Sequence, residues 1–248
     1  MIENTFIHIQ GIGPKTERNI WRQGICRWEN FLSRKDTIIS AKKDPLVHMQ
    51  LEDSIRNQDD IKYFADRLPS SDTWRMFDDF KDRAAFLDIE TSGDRYGRDL
   101  ITVIGLYDGS HVYTFVNGKN LYEFEIIVSS YELLITFSGS NFDLPWIKRC
   151  FPNITLPSGH IDLKYLFNRL GYKGGLKKIE KEFGICRDKT IEGMSGFEAI
   201  QLWDAYTWGD QDALDLLIRY NTADTVNLKP LMEEGYRMMK KVLMSNFD

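Results

Sequence analysis

The 248-residue chain predicts an α/β fold, a sheet with helices packed on it, joined to a small N-terminal helical region. Three observations lead there. Residues 84–90, AAFLDIE, form an apolar run broken only by two acids and read as a strand. Asp108-Gly109 is a hairpin signal between two runs rich in β-branched residues. Beyond Asp143 the apolar spacing turns helical almost to the end of the chain. A strand meander, then a helix, a further strand and more helices build an α/β sheet.

The elements divide by charge and pattern into three parts. In residues 1–43, Lys15, Arg18, Arg22, Arg27, Arg34, Lys35, Lys42 and Lys43 stand against only Glu3, Glu17, Glu29 and Asp36. Within this basic part, Ile9-Gln10-Gly11-Ile12-Gly13-Pro14-Lys15-Thr16-Glu17, continuing to Ile20, resembles a helix-hairpin-helix element. Hairpin glycines of that kind let the backbone approach a phosphate with a helix N-terminus behind it. The grip reads the sugar-phosphate chain and ignores sequence. Gly11, Gly13 and Lys15 are therefore candidate nucleic-acid contacts. Glu17 stands where such motifs usually carry a small residue, so a purely structural hairpin docking Trp21, Trp28 and Phe31 onto the main domain is the alternative. Residues 44–83 read as a helical connector without obvious chemistry, from the spacing of Ile61, Phe64, Ala65 and Leu68 and the break at Pro69-Ser70-Ser71. Residues 84–248 form the main domain. Strands are expected at 84–90, 100–107, 111–116 and 133–137. Helices are expected at 121–129, 163–170, 176–183 and 196–203, with one long helical stretch over 210–241.

Composition removes several classes. Apolar residues at 42% and aromatics at 13% fill a core and exclude wholesale disorder. With 32 basic and 37 acidic side chains the net charge is −5, which excludes a uniformly basic coat but not local basic patches. No apolar run approaches the roughly 20 residues of a membrane helix, and no membrane partner is expected. The opening MIENTFIHIQ lacks a basic head followed by an apolar stretch, so no signal peptide is expected. Cys26, Cys150 and Cys186 are odd in number and widely spaced, which argues against a disulfide framework and a zinc site. A reducing, cytoplasmic location is the expectation. Internal repeats and low-complexity tracts are absent from the sequence.

The candidate chemistry lies in three acidic pieces. Asp88 and Glu90 sit two apart in the first strand, so alternation puts both on one side. Two adjacent anions repel and are costly to bury unpaired, so something cationic is expected beside them. The plainer reading is a pair of surface acids, or partners for Arg95 and Arg98. Asp143, in Thr136-Phe137-Ser138-Gly139-Ser140-Asn141-Phe142-Asp143-Leu144-Pro145, stands where a helix begins, and helix capping alone would explain it. Tyr220 and Asp224, in Tyr220-Asn221-Thr222-Ala223-Asp224, lie four apart on one helical face. The plainer reading there is a half-buried tyrosine with an exposed Asp224.

Taken together the pieces say more. A strand D-x-E, an Asp opening a helix, and a late Y-x-x-x-D resemble the DEDD 3′–5′ exonucleases of the ribonuclease H-like superfamily, in the DEDDy branch by the tyrosine. FLDIET, the Phe-Asp-Leu-Pro run, His160-Ile161-Asp162-Leu163 and Tyr-Asn-x-x-Asp resemble more closely the YprB-like ribonuclease H-like family of predicted exonucleases. Asn141 to Pro145 also looks like the proofreading exonuclease segment of B-family DNA polymerases. The resemblance covers residue 84 onward and implies a ribonuclease H-like, mixed five-stranded sheet flanked by helices. It further implies that Asp88, Glu90, Asp143 and Asp224 hold two Mg²⁺ or Mn²⁺ ions, hard cations suited to oxygen ligands. Tyr220 would orient the attacking water, since an ordinary pKa near 10 suits positioning better than general-base work. Asn141 and Phe142 would meet the substrate, and Thr91 would present its backbone N–H or hydroxyl to the terminal nucleotide; a simple turn residue is the alternative for Thr91. An Asn often stands at the position of Ser138 in the related motif, a departure that bears on the rate. His160 reads as a satisfied, partly buried histidine, and Asp162 as the cap of the helix at Leu163.

Between residues 169 and 189, Arg169, Lys173, Lys177, Lys178, Lys181, Arg187 and Lys189 outnumber Glu180, Glu182 and Asp188. Tyr172-Lys173-Gly174-Gly175 at a helix start makes Lys173 a candidate phosphate contact; a solvated lysine-rich face is the alternative. Phe142, Trp146 and Tyr172 could stack on unpaired bases or could be core. The expected function is a metal-dependent 3′–5′ exonuclease on single-stranded DNA. The alternatives are a nucleic-acid-binding protein on an unreactive nuclease-like core, an RNA-processing 3′–5′ exonuclease, and a structure-specific endonuclease.

Overall fold

The computed structural model describes residues 1–93 and 100–245. Arg95 and Arg98, weighed above as partners for the first two acids, lie outside the described residues. The chain divides into two compact units, Met1–Asp82 together with the chain from Tyr236 onward, and Arg83–Gly235.

The first unit is helical: α1 (Pro14–Arg22), α2 (Trp28–Leu32), α3 (Asp44–Arg56), α4 (Ile61–Ala65) and α5 (Phe77–Phe80). Residues on both sides of position 43 therefore build one unit. Ahead of α1 the chain makes a single 3-10 turn, Ile2–Asn4, and then a hairpin whose Gly11 has φ +85°, the left-handed region glycine tolerates. Trp21, Trp28, Phe31 and Phe64 are buried in this unit, and Trp28 stacks on Phe64 with ring centroids 6.1 Å apart. Glu17, anomalous in the motif, is 1% exposed. It accepts the backbone N–H groups of Phe6 and Ile7 at 2.7 and 3.2 Å, and both oxygens meet the Arg75 guanidinium at 2.8 and 3.0 Å. The residue that breaks the motif's pattern thus ties the N-terminal backbone to a buried arginine.

The second unit is built on five strands: β1 (Ala84–Thr91), β2 (Ile101–Tyr107), β3 (Val112–Val116), β4 (Leu133–Thr136) and β5 (Gly159–Asp162). Their order is β3-β2-β1-β4-β5. The first three form the antiparallel meander, and β4 and β5 run parallel to β1 and β4, giving the expected mixed sheet. The fifth strand falls where the sequence suggested only a histidine and a cap, because four residues are too few to show a period. The second unit's helices are α6 (Phe124–Val128), α7 (Asp143–Cys150), α8 (Leu163–Arg169), α9 (Leu176–Glu182), α10 (Gly196–Thr207) and α11 (Gln211–Val226), while α12 (Leu228–Met244) begins in this unit and ends in the first. The single long helix expected over 210–241 breaks at Asn227 between α11 and α12.

Alternation along β1 sorts its side chains between two cores. Ala85, Leu87 and Ile89 join Ile104, Phe115, Phe124 and Ile147 on one face of the sheet. On the other, Val103 and Val116 pack with Ala199 and Trp203 of α10 and Leu214, Leu217 and Tyr220 of α11. Asp88 and Glu90 point to this second side, toward α11. Gly105, the β2 partner of Asp88, makes the approach possible: a Cβ there would lie 2.3 Å from Thr225 Oγ1 and 2.5 Å from Asn221 Oδ1.

Candidate active site

β1 and α11 bring the acids together. Asp88, Glu90 and Asp224 each offer a carboxylate oxygen, and the three atoms lie within 4.8 Å of one another. Asp224 is 7% exposed, which overturns the reading of it as a surface acid. Asn221, on the same face of α11, donates through Nδ2 to Asp88 Oδ2 at 2.9 Å and to the Asp88 carbonyl at 3.2 Å, locking helix to strand. Asp143 opens α7, 3% exposed, and its Oδ1 accepts the Ile89 N–H at 3.1 Å. The fourth acid therefore stands against β1 between the first two, outside the group of three but within their field.

Crowded burial dominates the electrostatics. Burial first, and then the charges of Asp224, Glu90 and Asp143, push the Asp88 carboxyl well above the usual range. Glu90 rises for the same reasons, burial and then Asp224. Burial carries Asp143 up to about 7. At Asp224, burial outweighs the attraction of Arg187 and Lys177, and its pKa also rises. Burial and Asp224 both raise the Tyr220 hydroxyl. Oxygen donors held this close and this reluctant to ionise alone suit a hard divalent cation.

Two side chains from the lysine-rich segment supply the cations the sequence called for. Lys177 Nζ donates to Tyr220 Oη at 2.5 Å. Arg187 Nη2 bonds Asp224 Oδ1, while its Nε and Nη2 grip Glu180 at 2.7 Å each. Glu180 is 1% exposed and also accepts from Asn227 Nδ2 at 2.9 Å. Sequence reasoning missed the roles of Arg187, Glu180 and Asn221. Asn221 could have been found, since it shares the helix face of Asp224 three residues on. Arg187 carries no local signal beyond the surplus of basic residues around it.

The remaining candidates fall as follows. Thr91 ends β1 just past a register shift between Glu90 and Thr91. Asn141 Nδ2 donates to Tyr165 Oη at 2.7 Å. Phe142 is 42% exposed beside Trp146, over whose ring the Arg149 guanidinium lies at 3.9 Å. Tyr172 packs against Phe167 and Phe183, and Lys173 is exposed before α9. Gly11, Gly13 and Lys15 are exposed and belong to the first unit, whereas the four acids belong to the second. Asp162 caps α8 through the Lys164 N–H at 3.1 Å. It also accepts Ser138 and Ser140 N–H groups at 2.8 and 3.1 Å, holding the loop that leads to Asp143. Ser138 has φ +67°, a conformation that asparagine tolerates better, which gives a backbone reason for the asparagine of the related motif. His160 Nε2 is hydrogen-bonded to Thr136 Oγ1 at 2.9 Å, and burial lowers its pKa.

The family model of the RNase H superfamily matches residues 85–236, more than half of the chain. No curated protein matches in sequence. Among solved structures, the chain is similar to the family B DNA polymerase from the hyperthermophilic archaeon Pyrobaculum calidifontis, with a TM-score of 0.52 and 14% identity. That alignment covers 65% of this chain and 25% of the polymerase, so the chain spans about a quarter of its length. It is also similar to the Aedes aegypti Nibbler EXO domain, with a TM-score of 0.48 and 14% identity over 71% of this chain and 91% of that one. For Brucella melitensis NrnC the TM-score is 0.45 with 18% identity, over 69% and 83% of the two chains.

Proposed function

The chain belongs to the RNase H superfamily, and on that premise we propose that it is a Mg²⁺- or Mn²⁺-dependent 3′–5′ exonuclease acting on single-stranded DNA. The observation that carries this reading is the meeting of Asp88 and Glu90 with Asp224, ligand oxygens within 4.8 Å, beside Asp143. Asp88, Glu90 and Asp224 would hold a divalent ion, with Asp143 the fourth acid of a pair of sites. Bound divalent cations supply charge neutralisation at the phosphate and a hydroxide at neutral pH.

The chain's own groups do the rest. Tyr220 keeps its proton, since burial and Asp224 disfavour the phenolate. Its oxygen accepts from Lys177, which leaves the hydroxyl proton free to fix the attacking water. Asn221 sets the Asp88 carboxylate. Phe142 and Trp146, beside Asp143, present aromatic surface of the kind on which unpaired bases stack, which supports a single strand. The choice of DNA follows the likeness of Asn141 to Pro145 to a proofreading segment.

The test uses 5′-labelled single-stranded DNA, duplex DNA and RNA with Mg²⁺, Mn²⁺ or EDTA, resolved on a gel. A descending ladder on single-stranded DNA, absent in EDTA and in Asp88→Asn and Asp224→Asn, is expected. Full activity in both variants removes the metal assignment, and a ladder on RNA alone moves the substrate to RNA. Salt-sensitive binding without product under either metal leaves a nucleic-acid-binding protein.

A further inference from the structure

Beside the carboxylates, and lined by none of the four acids nor by Tyr220, lies a cavity of about 400 Å³ between α9 and the segment that follows it. Its cations are Lys177, Lys181, Arg187 and Lys189, and its acids are Glu180 and Glu192. Glu180 is already neutralised by Arg187. Lys181 and Lys189 make no ion pair with any described residue. The Arg187 guanidinium is engaged by Glu180 and Asp224 through Nε and Nη2. The remaining wall is formed by Ile185, Cys186, Gly184 and Gly193.

Charge and size narrow the ligand. The lining side chains sum to two positive charges, from four cations and two acids. That matches a phosphomonoester, which carries up to about two negative charges at neutral pH, better than a phosphodiester with one. About 400 Å³ is near the small end of ligand pockets, which run from about 300 to 1,000 Å³, and suits one nucleotide better than a run of strand. Lys177 and Arg187 belong both to this cavity and to the acidic centre, so the two spaces adjoin.

We infer that this cavity is a product site, taking the nucleoside 5′-monophosphate released at the carboxylates. The inference rests on the exonuclease reading. In that reaction water oxygen bonds to phosphorus, the bond from phosphorus to the 3′-oxygen of the preceding nucleotide breaks, and that oxygen takes a proton. The diester monoanion becomes a monoester that ionises further, and the cavity favours the form that exists only after cleavage.

Isothermal titration of the full chain in Mg²⁺ tests this, with dTMP, thymidine 5′-methylphosphate and inorganic phosphate as probes. Saturable dTMP binding is expected, at least tenfold tighter than the methyl ester, which keeps one charge, and than inorganic phosphate, which lacks the nucleoside. The exposed Lys181→Glu and Lys189→Glu changes should each weaken dTMP at least tenfold. Absent dTMP binding, equal affinity for ester and monophosphate, or unaltered affinity in both variants overturns the inference, and so does inorganic phosphate binding as tightly as dTMP. A DNA ladder without dTMP binding sinks the cavity alone. Lysine-dependent dTMP binding without any ladder sinks the exonuclease reading and leaves a monophosphate site.

Discussion

Tyr220 and Arg187 show how surroundings assign work to side chains the sequence only names. Burial and neighbouring acids keep the Tyr220 proton in place, so in the proposed reaction its part is to orient the water. Tyr220→Phe should lower kcat by about 10²-fold, the scale of a misplaced reactant, while Mn²⁺ affinity in a direct titration stays within threefold. Arg187 neutralises Glu180, with side chains 5% and 2% exposed. Arg187→Met leaves a buried carboxylate with little beyond Asn227, and breaking a buried pair costs about 3–5 kcal/mol. Urea unfolding in EDTA should show that loss, and adding Glu180→Gln to the same chain should recover much of it. A double variant as unstable as the single one would contradict the account. The pairing of Asp88 and Glu90 on one strand face follows from alternation alone. Arg187 does not, because nothing local connects it to Asp224.

At the scale of elements, a glycine and a loop set the distance between the acids. Gly105 lets α11 settle on β2 so that Asn221 reaches Asp88. Gly105→Ala forces a Cβ into Thr225 and Asn221, an overpacking of about 1–3 kcal/mol by the usual range. It should also weaken Mn²⁺ binding, since moving α11 moves Asp224; unchanged Mn²⁺ affinity would separate the glycine from the site. The loop before α7 is held by Asp162, whose capping role was legible at the start of a helical run. Its grip on Ser138 and Ser140 was not, because those residues lie 24 and 22 positions earlier, on the far side of α7. The meander and its hairpin were readable from β-branched runs and Asp108-Gly109. The short β5 and the break at Asn227 were not, since four residues carry no period and apolar spacing continues through the break.

For the whole molecule the crowded acids make stability depend on pH, and the proposed metal site would make it depend on metal. Asp143 rises from an ordinary 3.8 to about 7, and Asp88, Glu90 and Asp224 move the same way. Between those pH values the folded chain holds protons the unfolded chain has released, so stability falls as pH rises. In EDTA, unfolding free energy should therefore decline from about pH 4 to about pH 7, by up to about 1.4 kcal/mol per pH step of one for each proton retained. Mn²⁺ at 100 times its Kd should return about 2.7 kcal/mol at pH 8. Asp143→Asn should flatten the decline, as its amide oxygen can still accept the Ile89 N–H. A stability that instead climbs through this range in EDTA would mean the acids are neutralised within the protein. None of the described helices is long and apolar enough to cross a membrane.

By itself the sequence determined the sheet-and-helix class, the strand bearing Asp88 and Glu90, and the order of acidic pieces that resembles the superfamily to which the chain belongs. Periodicity and spacing are local, and they survive in the string of letters. Only the tertiary structure decided that Asp224 is buried, that Arg187 bridges it to Glu180, and that Glu17 turns inward to Arg75. Those contacts join distant segments, and which charges meet depends on how closely the backbones pack and how much water they exclude.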